Sequence, residues 1–151
     1  MNSVNKSALV PYTAEQMFDL VADIERYPQF LQWCSGASVI SEQDGEVVAR
    51  LEVAYKGIKQ AFTTQNVNSQ CDSIHMSLQD TNGPFRDLNG VWTFTKLGKS
   101  QEACKVQLEL DFSFKNYLLR QMMGPVFSQI ANSQLDAFVQ RAAVIYAGVE
   151  L

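Results

Sequence analysis

Apolar and polar positions along the chain keep different rhythms, and each change of rhythm marks a new element. The stretch from Val4 to Val10 reads as a first strand, which Pro11 ends. Thr13-Ala14-Glu15-Gln16 has the Thr-x-x-Gln form of a capping box, in which each end supplies a partner for the other's free backbone N–H. Met17, Phe18, Leu20 and Val21 follow at helical spacing, which predicts a short helix from about Ala14 to Ala22. Asp23 is placed to cap a second, shorter turn. Pro28 should stop or bend that turn at Tyr27, because the residue before a proline is pushed out of helical geometry.

From Ser38 onward the period is two. In the stretch 47–55, Val47, Ala49, Leu51, Val53 and Tyr55 are apolar while Arg50 and Glu52 are charged, the alternation of a strand with one buried face. Gly45 and Gly57 sit at the turns on either side. Further strands are predicted at about Ile58 to Asn66, Ser73 to Asp80, Leu88 to Lys96 and Glu102 to Phe114, joined by Asn82-Gly83-Pro84 and Gly98-Lys99-Ser100, to give an antiparallel meander. Tyr117 to Ala147 returns to helical spacing, with a broad apolar stripe that includes Leu119, Met123, Phe127, Ile130, Leu135 and Phe138; Gly148 suits its end. Gly124-Pro125 interrupts this helix, and an interior proline removes a hydrogen bond, so a kink or restart is expected there. These elements bury their apolar faces if the sheet lies over the long helix, as a single α+β two-layer domain over residues 1–151.

Composition narrows the function. A chain of 151 residues is one ordinary domain, and 46% hydrophobic with 19% charged residues excludes a disordered chain. The formal charge of −4 argues against DNA and against general nucleic-acid binding, so any RNA contact must be local. Cys34, Cys71 and Cys104 are odd in number and lack C-x-x-C spacing, which points to free thiols in a reducing cytosol. The amino terminus has no basic region followed by an apolar run, and no stretch approaches the ~20 apolar residues of a spanning helix. A soluble, untargeted protein without a transmembrane segment is expected.

The inward phase of the strands holds Val53, Tyr55, Phe62, Thr64, Met76 and Leu78, then Trp92, Phe94, Leu108, Leu110 and Phe112; Met123, Phe127 and Ile130 join them from the helix. None is a carboxylate, histidine or lysine, so the inward face offers no general acid or base and reads as non-catalytic, with no cofactor required. His75, between Ile74 and Met76, should face solvent, and no metal-ligand or triad spacing accompanies it. Asp80, at a strand end, is the best remaining acid and reads more simply as a turn residue. The inward residues fit either a packed core or a ligand pocket. A pocket of several hundred cubic ångströms, left empty at ~24 cal/mol per Å³, would cost on the order of 7 kcal/mol, so it must be filled or absent. If a pocket exists, the hydroxyls of Tyr55 and Thr64 and the indole N–H of Trp92 are its candidate donors.

The stretch "DIERYPQFLQWC", Asp23 to Cys34, places Tyr27, Phe30 and Trp33 at three-residue intervals around Pro28. At one end of the sheet, near Gly124-Pro125, these rings would form either a lid or docking patch at a pocket mouth or a plug that closes the sheet's open end. Lys56 and Lys59 flank Gly57, and Lys96 and Lys99 flank Gly98. Turns at one end of a sheet would offer RNA phosphates or anionic lipid a small positive edge; solvated turn lysines are the plainer reading.

The order β-α-α-β-α, with "ALVPYTAEQMFDLVADIERYPQFLQWC", "GPF" at 83–85, "GVWTF" at 90–94, "DFSFKN" and "AFVQRAAVIY", resembles the helix-grip fold of START-like (SRPBCC, polyketide cyclase or dehydrase-like) domains. In that fold a curved antiparallel sheet wraps a long carboxy-terminal helix, with two short helices after the first strand. Within it the chain is similar to the coenzyme Q-binding family, near its branch of bacterial ribosome association toxins. One departure is Gln32, where the family commonly carries proline before the Trp-Cys pair. The resemblance implies an apolar cavity between sheet and helix, with a polyprenyl quinone such as ubiquinone as ligand in the respiratory members. For the toxin members it implies binding to the large ribosomal subunit that prevents subunit joining, and an antitoxin protein as partner. Eukaryotic relatives carry a targeting extension where this chain starts at its first strand, so a bacterial, cytoplasmic protein is expected.

Overall fold

The Thr13 capping box forms in full: Thr13 Oγ1 accepts from the Gln16 N–H at 3.0 Å, and the Thr13 N–H donates to Gln16 Oε1 at 2.9 Å. It opens α1 (Ala14–Ala22), which buries Met17, Phe18 and Val21, the residues that its 3.6-residue period placed on one face. The computed structural model describes residues 2–79 and 83–146; the expectations at Asp80, Asn82, Ala147 and Gly148 fall outside them. A 3-10 helix (Ile24–Gln29) follows α1. Asp23 does not cap it with its side chain, which pairs instead with Arg26 at 2.8 Å. The turn also runs through Pro28 to Gln29 rather than stopping at Tyr27, because the Tyr27 carbonyl accepts from both Phe30 and Leu31 and closes it there.

The strands are β1 (Asn2–Val10), β2 (Cys34–Gln43), β3 (Glu46–Tyr55), β4 (Ile58–Ser69), β5 (Ser73–Leu78), β6 (Phe85–Leu97) and β7 (Ala103–Phe114). They form one antiparallel sheet in the order β1-β7-β6-β5-β4-β3-β2, so the meander is complete except that the first strand pairs with the last. Asp44-Gly45 and Lys56-Gly57 have positive φ at both residues (54° and 81°, 50° and 83°). That geometry gives two-residue hairpin turns whose twist matches the flanking strands. β2 is a strand that the alternating pattern did not predict. It lies at the sheet edge, and shifts of register after Cys34 and Val39 break its alternation twice.

One inward row crosses six of the seven strands in register: Val47, Asn66, Met76, Gly90, Leu110 and Val4. A Cβ at Gly90 would lie 2.7 Å from Met76 Cε and 2.8 Å from Leu110 Cδ1, so the missing side chain is the space those two neighbours occupy. Helix α2 (Tyr117–Ile145) packs against this face with Met123, Phe127, Ile130, Leu135 and Phe138 buried. It shows no restart at Pro125. Pro125 and Gln121, whose carbonyl loses its helical donor, both lie on the exposed side, where water can serve that carbonyl. The Asn116 side chain accepts from the Leu119 N–H at the helix start, and Tyr146 donates to the Gln16 carbonyl at 2.8 Å, fastening the far end to α1. No described helix is long and apolar enough to cross a membrane.

Candidate ligand cavity

Between the sheet and α2 lies an apolar cavity of about 100 Å³. Strand phase brings Val53, Phe62, Thr64, Met76, Trp92, Leu108, Leu110 and Phe112 to it, and α2 adds Phe127 and Ile130. Tyr27 and Trp33 close one end. The space is smaller than the several hundred cubic ångströms expected. Left empty it would cost about 2 kcal/mol at ~24 cal/mol per Å³, a void that a domain can carry, so volume alone does not require an occupant.

Five of the expected residues stand elsewhere. Phe94 has the right phase but lies under α1, its ring stacked on Trp92 at 6.4 Å and edge-on to Phe18 at 5.7 Å. Tyr55 ends β3 and borders a surface groove together with Phe30. Leu78 ends β5 half-buried, and Met123 is buried nearer the start of α2 than Phe127; neither lines the cavity. Phe30 packs edge-on to Phe138 at 5.2 Å beneath the Arg141 guanidinium at 5.0 Å.

The aromatic stretch is a plug rather than an exposed patch. Tyr27 and Trp33 are buried, the Tyr27 hydroxyl donates to the Val21 carbonyl at 2.5 Å, and Trp33 Nε1 donates to Gln134 Oε1 at 3.1 Å. It therefore seats on the second half of α2, well past Gly124-Pro125. Burial, with smaller contributions from Cys34 and Asp23, pushes the Tyr27 phenol well above its ordinary value, so it stays neutral. Burial likewise pushes the Cys34 thiol up to about 11.

The residues missed by sequence reasoning are informative. Phe85 and Leu88 line the cavity from the start of β6; a register shift after Phe85 puts that residue out of step, while Leu88 shares the inward phase of Trp92. Ile24, Leu51, Ala131 and Gln134 also line it. Asn66 is the unexpected one: it is 6% exposed, lines the cavity, and its Oδ1 has no hydrogen-bond partner among the described residues. The signal was present in the sequence, since Asn66 shares the inward phase of Phe62 and Thr64 on β4.

No carboxylate, lysine or histidine lines the cavity, and Tyr27 is its one ionisable group among the described residues. His75 is exposed, and no three metal-ligating side chains cluster among the described residues. The two lysine pairs do not share an edge. Three antiparallel steps separate β3 from β6, so the two run in opposite directions: β3 ends at the end where β6 begins, and the turn bearing Lys56 and Lys59 and the turn bearing Lys96 and Lys99 lie at opposite ends. Lys56 is further tied down, its Nζ donating to Gln129 Oε1 at 2.7 Å.

An open seven-stranded antiparallel sheet laid over a long terminal helix, with an apolar cavity between them, defines a START-like helix-grip domain. The chain belongs to the family described as polyketide cyclase / dehydrase and lipid transport, which matches residues 10–139. It is 46% identical to the ribosome association toxin RatA of Pseudomonas aeruginosa, over 95% of this chain and 96% of that one. With the RatA of Escherichia coli it is 43% identical, over 97% and 90%. With a mitochondrial coenzyme Q-binding protein, COQ10 homolog B of Xenopus laevis, it is 26% identical over 97% of this chain and 60% of that one. An 18 kDa Caulobacter crescentus protein solved in solution superimposes with a TM-score of 0.74 at 30% identity, over 97% and 99%. The Zhui aromatase/cyclase superimposes at 0.79 with 18% identity, over 93% of each chain, a likeness of fold alone. These relatives thus carry toxin and coenzyme-binding names, while an enzyme shares the architecture.

Proposed function

We propose that this protein binds the large ribosomal subunit in the bacterial cytoplasm and keeps the subunits from joining, without catalysing a reaction. The observation that carries this reading is the near-full-length likeness to proteins named ribosome association toxins, at 46% and 43% identity. The end of the sheet where α2 begins has suitable chemistry. Arg86 and Arg120 are exposed there, on the same end as Lys56 and Lys59, and Tyr117, Leu118 and Met122 project into solvent at 68%, 66% and 58% exposure. The Arg120 guanidinium lies 5.2 Å over the Tyr117 ring. Cations that meet phosphates, beside rings that stack on unpaired bases, are what an RNA surface asks of a protein. With a net charge of −4 the contact must be local, and on this reading an antitoxin would act by covering the same end.

Sedimentation with dissociated subunits in a sucrose gradient tests the proposal. Comigration with the large subunit is expected, and Arg86→Glu with Arg120→Glu should weaken it by about tenfold or more. Protein that stays at the top of the gradient at low salt would exclude association. A folded double variant that travels like the wild type would move the contact elsewhere.

Binding of a hydrophobic molecule is the second reading, favoured by the apolar lining of the cavity. A polyprenyl quinone such as ubiquinone needs several hundred cubic ångströms, so its entry would require α2 or the segment 24–33 to move outward. Organic extraction of the purified protein, followed by mass measurement, tests for it.

A further inference from the structure

We infer that the cavity is a binding site for a small neutral molecule, one aromatic ring in size, that donates a hydrogen bond to Asn66. Three observations converge on this class of ligand. The first is volume: about 100 Å³ lies a little below the ~150 Å³ of an engineered apolar cavity that admits benzene. A single ring is therefore the largest occupant that small movements of Met76, a flexible side chain, would allow. A prenyl chain has no room.

The second is charge. Tyr27, the one ionisable side chain at the wall among the described residues, already donates its proton to the Val21 carbonyl, so an ionic ligand would enter with no counter-charge and lose its hydration. The third is Asn66. Its Oδ1 is buried without a partner, and its neighbours across the strands, Val47 and Met76, have no side-chain donor. A buried oxygen left without a donor costs about as much as a hydrogen bond contributes. A valine or leucine at this position would close the wall without that cost. The carboxamide turns easily about its last torsion, which lets its oxygen face an O–H or N–H inside the cavity.

Phenol and benzene are the probes, titrated into the full-length protein and followed by two-dimensional NMR of backbone amides. Saturable shifts centred on Asn66, Thr64 and Trp92 are expected with phenol, and benzene, which fills the space without a donor, should bind about tenfold more weakly. Asn66→Leu should remove that preference, leaving the two probes equal, in a variant at least as heat-stable as the wild type. Ala131→Leu, which fills the cavity from α2, should abolish the shifts with both probes and gives an independent test if Asn66→Leu does not fold. Equal binding of phenol and benzene by the wild type, phenol shifts that persist in Ala131→Leu, absence of any saturable shift, or recovery of a polyprenyl quinone from the purified protein would each overturn the inference. All of these are read on the isolated protein, so their failure leaves ribosome binding to be judged by sedimentation.

Discussion

At the residue scale, the last carbonyls of a helix lack intrahelical donors, and Tyr27 supplies one by reaching back to Val21 at the end of α1. Tyr27→Phe removes the donor while keeping the ring against Phe138, and should cost about 1–2 kcal/mol of stability in urea unfolding. The same burial makes stability depend on alkaline pH. Cys34 is raised from 9.0 to about 11, and Cys104, Tyr27 and Tyr146 are raised as well, each first by burial. Above pH 9 the unfolded chain therefore loses thiol protons that the folded chain keeps. Fewer protons on the unfolded state means that stability falls as pH rises. From these groups, stability should be constant below pH 8 and the urea midpoint should drop by about 1 M between pH 9 and 11. Cys34→Ala with Cys104→Ala should remove the thiol share of that drop.

At the element scale, two glycines should respond oppositely to alanine. A Cβ at Gly124 meets nothing closer than 3.9 Å, so Gly124→Ala should stabilise α2 by about 0.5–1 kcal/mol, seen as a raised melting temperature. At Gly90 the new Cβ collides with the ends of Met76 and Leu110, both of which line the cavity, so Gly90→Ala should push them inward and shrink it, read as loss of phenol shifts. What the sequence made legible divides along the same line. α1 was readable to its boundaries because Thr13 and Gln16 fix it locally. Phe62 and Thr64 on β4 and Trp92 on β6 followed from period two. β2 was not readable, since its bulges break that period, and the absence of a restart at Pro125 was not readable either, because the exposed setting that relieves its lost hydrogen bond is a property of packing. The cavity's size was illegible for a similar reason. It depends on how far Tyr27, Trp33 and Phe85 fill the space, and strand phase says nothing of depth.

At the scale of the molecule, strand direction separates what spacing alone grouped. The pairs Lys56 with Lys59 and Lys96 with Lys99 are alike in sequence yet stand at opposite ends of the sheet. If the end at which α2 begins meets the ribosome, Lys56→Glu with Lys59→Glu should weaken comigration with the large subunit several-fold, while Lys96→Glu with Lys99→Glu should change it by less than about twofold; gradients run in parallel give the comparison. Closure of the sheet has a further effect, on synthesis. Residues 2–10 are the first of the sheet to be made, yet their hydrogen-bonding partners are residues 104–112, about a hundred residues later in the chain. The opening strand must wait, its N–H and C=O groups free, until most of the polypeptide exists. Translation halted before that point therefore releases a sticky fragment with an unzipped margin, never a smaller working domain.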